Sequence, residues 1–127
     1  KEAAAITPMQ EALAALSELH EETPPMRECS LRLSLILRSY LAGQTQDSSL
    51  FETHEEFSQR MDSLSGVPKS CQQETRDLLD YLADFKYSGN TMKDDGLANR
   101  LIAQARELVC RINEAQAAEA REKEETV

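Results

Sequence analysis

The side chains best able to do chemistry in this chain are two histidines, His20 and His54, three cysteines, Cys29, Cys71 and Cys110, and a carboxylate row at Asp77, Asp80 and Asp84. A di-metal site in a helical bundle needs Glu-x-x-His on two helices, whereas both histidines here stand in Glu-x-His strings, Glu18-Leu19-His20 and Glu52-Thr53-His54. Residues two apart diverge by about 200° around a helix, so neither pair chelates. The cysteines are widely spaced, include no Cys-x-x-Cys and sit at helical spacing from Leu, Met or Ile. That pattern favours reduced, buried thiols over a zinc site, a disulfide framework or a nucleophile. Asp94-Asp95-Gly96 fails as a calcium loop: with Gly96 in the turn position, Lys93 falls on a ligand position and Ile102 on the closing glutamate. Four glycines leave no phosphate-cradling loop, dinucleotide fingerprint or Gly-x-Ser-x-Gly elbow. The expectation is a chain without catalytic residues, metal or cofactor. The aspartate row reads as a solvated helix face, with a partner-facing role as the alternative. His20 and His54 extend apolar stripes and read as boundary or core residues.

The elements that would position these groups are helices. Apolar stripes at helical period are separated by Thr23-Pro24-Pro25, Gly43, Ser65-Gly66-Val67-Pro68 and Ser88-Gly89-Asn90, with scarcely any Gly or Pro elsewhere. Thr7-Pro8-x-Gln10 predicts a capping box opening a first helix, with Met9, Leu13, Leu16 and His20 on its stripe. Thr23-Pro24-Pro25 reads as a second N-cap with proline entry. The helix from about Pro25 to Ala42 carries Met26, Cys29, Leu33, Ile36, Leu37, Tyr40 and Leu41, and Gly43 is expected to stop it in the left-handed region. A third helix is expected around Leu50, His54, Phe57, Met61 and Leu64, with Glu56 and Arg60 paired on its outside. Gly66-Val67 suggests a Schellman stop. The fourth, from Pro68 to Tyr87, presents Cys71, Thr75, Leu78, Leu82 and Phe85, with Leu79 and Tyr81 flanking. The fifth is capped by Thr91, Asp94 or Asp95 and carries Leu97, Leu101, Ala105, Leu108 and Ile112, flanked by Ile102 and Val109.

These stripes define an all-α protein: an antiparallel helical bundle of four to five helices with a protruding charged C-terminal helix end. Residues 1–6 read as an N-terminal extension, 7–113 as the bundle domain and 114–127 as a charged, fraying helical tail. A net charge of −9, with arginines and lysines scattered singly, argues against nucleic acid as a partner. No apolar run is long enough for a membrane span. The odd cysteine count and the lack of an Asn-x-Ser/Thr acceptor favour a cytoplasmic setting.

One feature departs from a simple amphipathic pattern. Leu31 and Leu35 lie on the face of the second helix opposite Leu33, bordered by Arg27 and Arg38, which are within about 20° of each other around the axis. Either a five-helix arrangement covers these leucines, or they stand exposed as a ridge for an amphipathic partner helix. The leading functional expectation is a non-catalytic protein–protein interaction module, an adaptor, scaffold or oligomerisation domain. The alternatives are a bacterial secretion-associated targeting or chaperone bundle and a secreted four-helix signalling protein.

Overall fold

The computed structural model describes residues 7–45, 67–87 and 94–125. They form four helices, α1 (Pro8–Glu22), α2 (Met26–Thr45), α3 (Lys69–Tyr87) and α4 (Asp95–Glu125), and no strand among the described residues. The expected helix around Leu50 to Leu64, with His54, Glu56 and Arg60, lies outside the described residues, as do the glycine stops at Gly66 and Gly89.

Helix α1 opens as its sequence dictates. Thr7 Oγ1 accepts from the Gln10 amide at 3.1 Å, and the Thr7 amide donates to Gln10 Oε1 at 3.0 Å, so two otherwise orphaned donors are satisfied. Its buried arc is Ala12, Leu16 and Leu19, with Met9 and Leu13 packed at the margin, whereas His20 is exposed. The arc is rotated from the expected stripe because α1 packs against both α2 and α4.

The end of α1 departs from expectation. Thr23 is its C-cap, not an N-cap for α2; it adopts the left-handed region at φ 43° and ψ 58°, and its amide donates to the Leu19 carbonyl at 3.2 Å. Pro24 follows and offers no amide to continue the ladder, so the chain must leave the helix here. A β-branched residue in this region costs about 1–2 kcal/mol.

Helix α2 touches each of the other three described helices. Met26, Cys29, Leu33, Leu37, Tyr40 and Leu41 are buried along it, and it packs against α1, α3 and α4. It does not stop at Gly43 but runs to Thr45. A Cβ on Gly43 would meet Pro8 Cγ at 3.0 Å and Cβ at 3.2 Å. The glycine therefore serves the close approach of the start of α1 rather than a left-handed stop.

Helix α3 buries Cys71, Thr75, Leu78, Leu79 and Leu82, and α4 buries Ala98, Leu101, Ile102, Ala105, Leu108, Val109 and Ile112. Of the three candidate caps for α4, Asp94 takes the role: its Oδ1 accepts from the Leu97 amide at 3.0 Å. Helix α4 also packs on α1 and α3, leaving α1 and α3 at opposite corners. Polar ties join the corners: Tyr40 donates to the Val109 carbonyl at 3.3 Å, Arg106 donates to Ser17 at 3.3 Å, and Arg111 pairs with Glu74.

Two expectations follow from the irregular positions. Thr23→Asn, which tolerates the left-handed region, raises thermal stability by about 0.5–1 kcal/mol, a few degrees in Tm by thermal melting. Gly43→Ala lowers Tm even though alanine is intrinsically better in a helix by up to about 1 kcal/mol. Adding Pro8→Ala, which removes Cγ but keeps Cβ, makes the Gly43→Ala loss smaller, and the double-mutant cycle measures the coupling.

Candidate interaction surface

The outward side of α2 presents Arg27, Leu31, Leu35 and Arg38 in sequence order. Leu31 and Leu35, one turn apart, are 46% and 48% exposed. Arg27 is exposed and Arg38 half-buried. Arg27 extends into water, whereas Arg38 lies lower with its Nε shielded, and together they border the two leucines.

Leu35 also forms one wall of a shallow hollow of about 210 Å³ between α1 and α2. Ala12 and Ala15 of α1, Ile36 and Tyr40 of α2, and Pro8 complete its apolar lining, with Glu11 and Ser39 as polar members. The alanines matter because small side chains leave room at the α1 wall. The ridge thus continues into a concavity suited to one further apolar side chain.

Arg32 lies beside this ridge but is engaged elsewhere. It makes a fork-to-fork pair with Glu22, at 2.8 and 3.0 Å, and lies 3.6 Å from Glu28. The hydrogen bond and charge of Arg32 hold the Glu22 carboxyl below its ordinary value of 4.5. This pair ties the end of α1 to the start of α2 and leaves Arg27 as the outward cation at that end.

The remaining reactive side chains are placed as packing groups. Burial pushes the Tyr40 hydroxyl well above the usual tyrosine range, and its proton is directed at the Val109 carbonyl. Burial likewise raises the Cys29 thiol, which disfavours the thiolate that nucleophilic chemistry requires. Cys29 and Cys71 are buried, Cys110 is half-buried, and all three are free thiols. Among the described residues no three His, Cys, Asp or Glu side chains converge as a metal site, and no helix is long and apolar enough to cross a membrane.

A second concavity escaped the sequence reading. Between α3 and α4, Leu78, Leu97 and Leu101 floor a groove of about 450 Å³ bounded by Asp77, Tyr81, Arg100 and Gln104. Tyr81 is 44% exposed and stands edge-on to Phe85, with ring centroids 5.4 Å apart. The only sequence signal was the flanking position of Tyr81 next to the aspartate row. Comparison with family models, with curated proteins and with solved structures gave no match to this chain.

The Glu22–Arg32 pair makes a pH prediction with a defined sign. Because the folded-state value is depressed, the stabilisation is present above the unfolded value and is lost as pH falls through the lower folded value. Glu22→Gln therefore lowers Tm at neutral pH. The difference from the unsubstituted chain begins to shrink near 4.5 and is gone below the folded value, as read from melts across the acid range.

Proposed function

We propose that this chain is a non-catalytic protein-interaction module, serving as an adaptor, scaffold or oligomerisation domain, and that it docks through the ridge Arg27, Leu31, Leu35 and Arg38. The observation that carries this reading is the pair of half-exposed leucines one turn apart on the helix that otherwise organises the core. Full burial of a leucine is worth roughly 1.5–3 kcal/mol, so completing the burial of the two half-exposed leucines in a complex supplies about 1.5–3 kcal/mol of driving force. The partner that fits is an amphipathic helix, or a comparable surface, with an apolar centre and carboxylates placed to meet the two arginines.

The bundle that presents the ridge is read as an antiparallel one with the charged end of α4 projecting beyond it. The short Thr23–Pro25 connection between α1 and α2 supports that reading. Free thiols in the core fit a reducing, cytoplasmic setting.

The test separates binding from folding. Immobilised domain and its Leu31→Glu, Leu35→Glu double variant are compared for the proteins they retain from cell extract, and each is melted by circular dichroism. Retention lost with Tm unchanged within a few degrees supports a docking ridge. A fall of more than roughly 10 °C, equivalent to about 2–3 kcal/mol for a chain of this size, would show that the leucines hold the fold instead.

A further inference from the structure

The chemistry that the ridge asks of its partner is present on another face of the same chain. The groove between α3 and α4 has an apolar floor of Leu78, Leu97 and Leu101, and its α3 rim carries Asp77, followed along the same exposed helix face by Asp80 and Asp84. We propose that the occupant of this groove is the α2 ridge of a second copy of the chain, so that the module assembles head to tail. This inference rests on the ridge being a docking surface.

Size and charge both support the match. Leu31 and Leu35 are separated by one turn, about 6 Å along the axis, and the groove between Leu97 and Gln104 runs for about 10 Å. An open volume of about 450 Å³ accommodates the two leucine side chains together. Arg27 and Arg38 lie about 16 Å apart along α2, and Asp77 and Asp84 about 10 Å apart along α3. The difference is within the reach of two long guanidinium side chains that converge on the carboxylates. Tyr81, half-exposed and braced by Phe85, is the aromatic anchor that interface centres favour.

A two-fold dimer through the ridge is the competing arrangement: laid antiparallel with Leu31 against Leu35 of the partner subunit, two ridges set Glu28 against Arg38 of the partner subunit, and such an assembly stops at a dimer. The ridge belongs to α2 and borders α1, whereas the groove belongs to α3 and α4, and α1 and α3 occupy opposite corners. A contact between unlike faces of this kind leaves each copy with one free ridge or one free groove, so growth continues past a dimer unless a ring closes. The net charge of −9 opposes association at long range, and salt at physiological strength screens that repulsion over about 8 Å while sparing the close pairs.

The decisive experiment is complementation by analytical ultracentrifugation of the full chain at physiological ionic strength. The unsubstituted chain is expected to gain mass beyond a dimer over roughly a hundredfold rise in concentration. A ridge variant, Leu31→Glu with Leu35→Glu, and a groove variant, Tyr81→Ala with Asp77→Lys and Asp84→Lys, each associate at least about tenfold more weakly. An equimolar mixture of the two restores association but halts at the dimer, because only one intact ridge and one intact groove remain per pair. If the ridge variant unfolds, Arg27→Glu replaces it in the same scheme. The proposal is overturned if the unsubstituted chain stays at its monomer mass of 14.3 kDa, stops at a dimer, or if the mixture fails to recover association. A strictly monomeric chain whose retained partner still depends on Leu31 and Leu35 would sink self-assembly while leaving the interaction module standing.

Discussion

The buried seam of α2 is the constraint on which the rest of the molecule depends. Met26, Cys29, Leu33, Leu37, Tyr40 and Leu41 face inward along it, and the three other helices each close against part of that line. Large, fully enclosed aliphatic side chains make each of those contacts sensitive to a single methylene, so the seam fixes the rotation of α2 about its own axis. Once that rotation is set, the opposite side must carry Leu31 and Leu35 outward. The exposed ridge is a geometric consequence of the core.

Polar contacts refine this packing rather than drive it. Tyr40 reaches the Val109 carbonyl from within the seam, where an unmet hydroxyl would be costly. The outer ties, Arg32 with Glu22 and Arg111 with Glu74, are partly exposed and orient helix ends more than they add stability. Their effect on the surface is selective. Arg32 and Arg111 are thereby held against their own chain.

Much of this was legible in the sequence because it is local. The Thr7–Gln10 capping box and the inward stripes of α2, α3 and α4 follow from side-chain type and helical spacing alone, whereas the sequence narrows the α4 cap only to Thr91, Asp94 or Asp95. Thr23 is a local misreading: the adjacent prolines end α1 there, which makes it the cap of the helix before them and not of the one after. Elsewhere a distant segment decides, and Gly43 is helical where Pro8 lies against it. His20 turned outward when two neighbours rotated the buried arc of α1. For the surface, periodicity located Leu31 and Leu35 on a second face but had no means of saying whether anything lies over them. The groove at Tyr81 depends on the spacing between α3 and α4, which no single-helix pattern encodes.

The free thiol of Cys29 sits inside the seam of α2, fully shielded while the helices remain closed. It is therefore a chemical clock for the opening of that seam. An oxidant or alkylating agent reaches Cys29 only when α2 parts from its neighbours, and the modified sulfur, being bulkier, then blocks reclosure. Under oxidative stress the lifetime of this fold follows the opening of that seam, by its population where reclosing outpaces modification and by its rate where it does not.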